Sequence, residues 1–327
     1  MSKRPNVIES APPQDQLTRE VVEGLRRSPK ELSPVWFYDE VGSLLFDSIC
    51  ELPEYYVTRT EVSIMQQHAA QMAEHIGPRA ALIEFGSGTS TKTRQLLDNL
   101  EQPQAYVPVD IARDHLREAA AATARNYPLL PVYPVCADFT QPFELPRAAA
   151  QAQRRVVYFP GSTLGNFTRE RAGALLTLIR RLIGQQGALL IGIDLRKDPA
   201  MLRQAYNDAA GVTAEFNLNA LRHLNRELRS NFDVQAFRHQ AVWVEEESRI
   251  EMHLISTRDQ VVYLRGERFE FRRDERMRTE CCHKYTLESF AELAAVAGLG
   301  VIRVWMDPEQ KFSVQLLEPL AEPGSTP

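Results

Sequence analysis

From residue 81 onward, short apolar runs alternate with amphipathic segments for more than a hundred residues. Residues 81–85, 105–110, 132–136, 156–159 and 188–194 are apolar runs of strand length. Between them, residues 91–99, 112–127 and 169–183 carry apolar positions at helical spacing. Strands joined through helices run parallel, because a parallel pair needs a long crossover. The pattern predicts an α/β domain built on a mostly parallel sheet.

The flanks read differently. Residues 1–12 are expected to form a flexible tail, and residues 14–27 a short helix with Leu17, Val21, Val22 and Leu25 on one face. Residues 32–60 are aromatic-rich and broken by prolines, which argues for a connection without a core helix; residues 61–76 read as a helix leading into the first strand. Past residue 194 come helical patterns at 201–210 and 211–228. Residues 239–246, 249–256, 260–264 and 269–273 then alternate apolar and polar positions, as half-exposed antiparallel strands do. These segments predict an inserted second domain. A helix at 285–297 and strands at 298–305 and 312–317 return to the first sheet and give it an antiparallel C-terminal edge.

Composition narrows the function classes. The chain has 327 residues, 44% hydrophobic and 25% charged, with a net charge of −5. Nothing in that balance favours nucleic acid or an anionic membrane as a partner, and a small-molecule site is expected instead. No apolar run is long enough to span a bilayer and the N-terminus does not read as a signal peptide, so a cytoplasmic protein is expected. Cys50, Cys136, Cys281 and Cys282 form no disulfide framework, and they lack the ligand spacing of a structural zinc site, so no metal is expected.

The chemistry concentrates at residues 82–94, LIEFGSGTSTKTR. Gly86 and Gly88, with Ser87 between them, let the backbone turn sharply and approach a ligand, while the amides opening the next helix face the same place. Ser90 stands where a dinucleotide fingerprint has its third glycine, and the acid Glu84 precedes the turn. That carboxylate disfavours a pyrophosphate and suits the cationic amino-acid end of S-adenosylmethionine. Asp110 ends the second strand, about twenty residues on, where an acid accepts from both ribose hydroxyls. Asp138 and Phe139 follow the third strand, where a carboxylate can accept from an adenine amine and a ring can hold the base. The fourth strand runs into a glycine- and hydroxyl-rich loop ending at Asn166. A nicotinamide oxidoreductase and a non-catalytic cofactor-binding regulator remain alternatives on these residues alone.

Several stretches together are similar to one family: LSPVWFYD at 32–39, LPEYY at 52–56, EFGSGTS at 84–90, PGSTLGN at 160–166, AYNDAAGVT at 205–213 and RTE at 278–280. The chain resembles the L-histidine Nα-methyltransferases of the ergothioneine pathway over nearly its whole length. That resemblance implies a Rossmann-like class I methyltransferase domain at 61–195 and 284–327, and a smaller α+β substrate-binding domain at 13–60 and 196–283. It implies a monomer that trimethylates the α-amino group of L-histidine to hercynine through partly methylated histidines, with another small amine or aromatic amino acid as the alternative substrate.

Carried over by position, Tyr38, Gly86, Lys92, Asp110, Asp138 and Phe139 match cofactor contacts, with Lys92 and Tyr38 near the methionine carboxylate. Tyr56, Gly161, Asn166 and Tyr206 match positions that hold the substrate's amino-acid end. Met252 and Glu280 match positions lining an imidazole pocket. Phe216, Tyr38 and Tyr56 offer aromatic faces to a cationic head group. The family pattern Glu-x-Ser-x-Lys is departed from at Cys282, where a thiol, a weaker hydrogen-bond partner, replaces the hydroxyl expected to meet the imidazole. Ring selection then rests more heavily on Glu280.

Overall fold

The computed structural model describes residues 5–10, 14–87 and 91–321. The chain runs through β1 (Ile8–Ser10), α1 (Gln14–Arg26), β2 (Lys30–Glu31), α2 (Glu40–Glu51), α3 (Tyr56–Ile76), β3 (Ala80–Phe85), α4 (Thr91–Leu97), β4 (Ala105–Asp110), α5 (Arg113–Asn126), β5 (Val135–Ala137), α6 (Arg147–Ala150), β6 (Arg154–Phe159), α7 (Arg169–Ile183), β7 (Ala188–Asp194), α8 (Pro199–Ala205), α9 (Val212–Leu228), β8 (Phe237–Val244), β9 (Arg249–Ser256), β10 (Gln260–Leu264), β11 (Glu267–Phe271), β12 (Arg276–His283), α10 (Leu287–Val296), β13 (Leu299–Met306) and β14 (Phe312–Pro319).

Two units emerge. In the first, formed by Val57–Arg196 and the stretch from Lys284 together with β1, the strands line up in the order β1-β5-β4-β3-β6-β7-β14-β13. Neighbours from β1 to β7 pair parallel, while β14 runs antiparallel to β7 and β13 antiparallel to β14. This is the Rossmann-like class I methyltransferase arrangement, with its antiparallel C-terminal edge. Every residue of β3 and β7 is buried, which is why these strands read as continuous apolar runs. The amphipathic helix α7 turns Ala172, Leu175, Leu176, Ile179 and Ile183 inward, and α10 adds Phe290 and Ala294. Each such large side chain contributes about 1.5–3 kcal/mol when fully buried. Thr168 caps α7 by accepting from the Arg171 amide. From β3 the chain order steps outward through β4 and β5, and on the other side through β6 and β7, so the crevice beyond the carboxyl end of β3 is where such sheets bind ligands.

The second unit, Pro12–Tyr56 with Lys197–His283, carries a four-stranded sheet in the order β2-β12-β9-β8 and a separate β10–β11 hairpin, with α1, α2, α8 and α9. Helix α9 buries Phe216, Ala220, Leu221, Leu224 and Leu228 along one face. The join falls between Tyr56 and Val57 rather than after residue 60, because α3 already begins at Tyr56.

Three segments depart from the sequence reading. Residues 40–51, expected to lie in a connection without a core helix, form α2: Asp39 caps it by accepting from the Gly42 amide at 2.7 Å, and Ile49 is buried. Residues 276–283 form β12, placed between β2 and β9, where no strand was expected. Within the expected tail, Ile8–Ser10 pairs parallel with Val135–Ala137. Among the described residues, no helix is long and apolar enough to cross a membrane.

Candidate functional site

The first unit gathers its candidate residues on one edge of the sheet. Gly86 follows β3 with φ +72, and among the described residues nothing lies within 4 Å of where a Cβ would stand. Its amide donates to the Val109 carbonyl at 2.9 Å, which sets the turn beside the end of β4. There Asp110 Oδ1 accepts from the Ala112 amide at 2.9 Å. One strand further, Asp138 Oδ1 accepts from both the Thr140 amide, at 2.9 Å, and the Thr140 hydroxyl, at 2.7 Å. Both aspartates thus build turns at adjacent strand ends. Phe139 stacks on Phe85 with centroids 5.1 Å apart and meets Phe159 edge-on at 5.5 Å. Ser87 is buried in the same turn, while Gly88 lies outside the described residues.

Glu84 requires a correction. It was expected to take a ligand amine, yet it is buried and its two oxygens accept from the Thr93 hydroxyl, at 2.5 Å, and from the Tyr106 hydroxyl. Burial pushes its carboxyl up to about 7, against the opposing pull of those two hydrogen bonds. The side chain is spent on tying β3 to α4 and β4, and it shapes the turn from within.

The loop after β6 is fixed by local bonds. Ser162 adopts φ +59 and its hydroxyl accepts from the Asp194 amide at 2.9 Å, so the loop is tied to the end of β7. Asp194 in turn pairs with Lys284 at 2.7 Å, both side chains fully buried. The Thr163 hydroxyl donates to the Pro160 carbonyl at 3.1 Å, and Asn166 closes the short 3-10 turn Thr163–Asn166, half-buried. Gly161, with φ +79, sits beside Lys92: a Cβ there would lie 3.8 Å from Lys92 Nζ. Joining them is Glu61, a residue the sequence reading passed over. Its fully buried carboxylate accepts from Lys92 Nζ at 2.6 Å and from the Gly161 amide at 2.9 Å.

In the second unit, an aromatic cluster surrounds Phe216. Phe37 lies 4.7 Å from it, Tyr38 5.7 Å and Phe46 5.9 Å between centroids. Tyr55 meets Tyr206 edge-on at 6.2 Å. Tyr56 is buried, and its hydroxyl accepts from Lys197 Nζ at 2.8 Å. The backbone carbonyl of Tyr206 meets His239 Nε2 at 2.9 Å, and His239 Nδ1 lies 2.8 Å from Asn217 Nδ2. An amide nitrogen only donates, so the histidine is the tautomer with its proton on Nε2, directed to Tyr206. Burial pushes the His239 pKa down, which favours this neutral form.

On the sheet, Met252 faces Glu280 across the β9–β12 ladder, with Cys282 two residues on, opposite Ile250. The register shifts between Arg278 and Glu280. A bulge of this kind redirects a side chain, and here it precedes Glu280. Met252 and Cys282 are buried and Glu280 is half-buried. Glu251, next to Met252, accepts from Arg249, Arg278 and His253, a charged network that alternation along β9 places on the other face.

A family model described as histidine-specific methyltransferase, SAM-dependent, matches residues 17–319. The chain belongs to that family. It is 41% identical over 308 residues to the histidine N-alpha-methyltransferase of Mycolicibacterium smegmatis, covering 92% of this chain and 94% of that one. The histidine N-alpha-methyltransferase of Mycobacterium tuberculosis is 42% identical over 307 residues, with the same coverage. Ergothioneine biosynthesis protein 1 of Neurospora crassa is 31% identical over 284 residues, covering 85% of this chain and 32% of that longer protein. As a histidine-specific methyltransferase, the protein uses S-adenosylmethionine, and its own residues fit that cofactor. The open side of Gly86 allows close approach, and two carboxylates stand at the neighbouring strand ends.

Proposed function

We propose that the protein transfers methyl groups from S-adenosylmethionine to the α-amino nitrogen of L-histidine, three times in succession, to give hercynine for ergothioneine biosynthesis. The observation that carries this is the match to histidine N-alpha-methyltransferases at 41–42% identity over 92% of the chain. On this reading Asp110 takes the ribose hydroxyls, Asp138 and Phe139 the adenine, and Lys92 and Tyr38 the methionine carboxylate, with Gly86, Ser87 and Gly88 forming the cradle. Tyr56, Asn166 and Tyr206 are the catalytic residues that orient the substrate's amine and carboxylate. Gly161, whose amide is held by Glu61, belongs to the positions that hold the substrate's amino-acid end. Met252, Glu280 and Cys282 select the imidazole, and Phe216 lends an aromatic face.

The bound cofactor supplies an electrophilic methyl on a sulfonium. Everything else asked of the protein is placement. An ammonium has no lone pair, so the substrate nitrogen would lose a proton to solvent before each transfer and then take up the methyl, the S–C bonding pair staying with the sulfur of the cofactor. Holding the nitrogen against the methyl makes the step effectively unimolecular, a gain of up to roughly 7–11 kcal/mol when orientation is right. The neighbouring sulfonium charge disfavours an ammonium and so lowers the amine pKa, and no strong base is needed. Partly methylated histidines are further substrates, and the enzyme works as a cytoplasmic monomer without nucleic acid or membrane.

The test is to incubate the purified protein with S-adenosylmethionine and L-histidine and follow the product by mass. Successive one-, two- and three-methyl increments on histidine are expected. Methylation of another amino acid or amine in preference to histidine overturns the substrate assignment.

A further inference from the structure

Within the first unit, Glu61 is fully buried on α3 and touches two residues that the functional reading gives to different ligands. Lys92 Nζ, assigned to the methionine carboxylate of the cofactor, donates to Glu61 Oε2 at 2.6 Å. The amide of Gly161, a residue assigned to the substrate's amino-acid end, donates to the same oxygen at 2.9 Å and lies 3.2 Å from Oε1. The fold makes room for this carboxylate: a Cβ at Gly192, in the middle of β7, would collide with Glu61 Oε1. A buried carboxylate is tolerated only when paired and hydrogen-bonded, so both partners are held firmly.

We infer that Glu61 is a positioning residue that couples the two ligands, fixing the cofactor-binding Lys92 and the substrate loop at Gly161 against each other through one carboxylate. The inference rests on the functional reading above. A ligand carboxylate that settles on Lys92 also settles Glu61, and Glu61 then holds the Gly161 turn in place. The second ligand meets a loop already ordered and binds more tightly, and by linkage the effect is reciprocal.

The test is calorimetric titration of the full-length protein with L-histidine, with and without saturating S-adenosylhomocysteine, which prevents turnover. In the parent protein the nucleoside should tighten histidine binding at least about fivefold. Lys92 and the Gly161 amide share one oxygen, so Glu61→Gln can still accept from both but no longer carries the anion that holds the Lys92 ammonium, and the factor should fall to within about twofold of unity. Because that change leaves Lys92 without its buried anion, the double variant Glu61→Gln with Lys92→Met is measured beside it and should show the same loss. A purely structural Glu61 would lower stability and weaken both ligands while leaving the coupling factor unchanged. Coupling absent in the parent protein, or retained in either folded variant, overturns the inference. Absence of histidine binding in both states of the parent protein overturns instead the functional reading, and the inference with it.

Discussion

Replacing Asp138 by asparagine separates the turn it builds from the ligand it is proposed to hold. Its Oδ1 accepts from the Thr140 amide at 2.9 Å and from the Thr140 hydroxyl at 2.7 Å. An asparagine oxygen can still accept both bonds, each weaker than to a carboxylate, so the turn is kept. Phe139 keeps its place on Phe85, because the 5.1 Å stack does not involve the carboxylate. What changes is the second atom: an anionic acceptor becomes an NH2, which faces the exocyclic amine of adenine donor to donor. Loss of a charge-assisted acceptor costs about 1.5–3 kcal/mol, which is about 10- to 150-fold in Kd. Calorimetry with S-adenosylhomocysteine reads this directly, and thermal melting should move by less than about 1 kcal/mol equivalent, since no native bond is lost. Asp138→Ala would lose both the turn bonds and the affinity. An Asp138→Asn protein that melts normally and binds S-adenosylhomocysteine as the parent does would refute the adenine assignment.

Two further predictions concern the second unit. Glu280→Ala should raise the KM for histidine by the cost of an unpaired imidazole donor, about 1–3 kcal/mol, and relax discrimination against tryptophan, whereas Cys282→Ser should hold or improve histidine use; steady-state kinetics with both amino acids decides, and unchanged histidine kinetics in Glu280→Ala would remove the imidazole contact. Hydrogen bonding from His253, then from Arg249, with the charge of Arg249 adding to it, draws the Glu251 pKa down to about 2 from 4.5. A depressed carboxyl contributes stability in full above its unfolded pKa and loses it as pH falls through 4.5 toward 2, here on the order of 2–3 kcal/mol. Urea unfolding at several pH values should therefore show a steeper acid loss in the parent than in Glu251→Gln, and equal slopes would contradict the assignment.

The parallel sheet was legible because β3 and β7 are buried throughout, and burial of that kind leaves runs that are apolar at nearly every position. Helix α2 was not legible, because the stretch around it is polar and the prolines at 34 and 53 read as breakers. In the structure Gly42 is required at the helix entry: a Cβ there would collide with the Phe37 carbonyl, and Asp39 caps the turn it forms. Strand β12 was hidden by its charges. Arg278 is accommodated inside the sheet because Glu31 of β2 and Glu251 of β9 flank it, a compensation that no local pattern announces. The register shift before Glu280 further breaks the alternation by which a strand is recognised.

The same distinction governs the site. The places of Asp110 and Asp138 at neighbouring strand ends could be read from the chain, because the alternation of strand and helix shows where each strand stops. Glu84 was misread for want of Tyr106, which is 22 residues away in sequence but on the neighbouring strand, within hydrogen-bond reach. Glu61 lay further out of reach, since its partners stand 31 and 100 residues downstream. A buried acid on a helix looks like an ordinary polar position until its partners are seen. On the proposed reading, motif residues mark where ligands are met, whereas a residue like Glu61 sets how those positions stand to one another. On that reading, three successive transfers would depend on the second kind as much as on the first, because each new methyl would enlarge the substrate while the reacting nitrogen must return to the same line of attack.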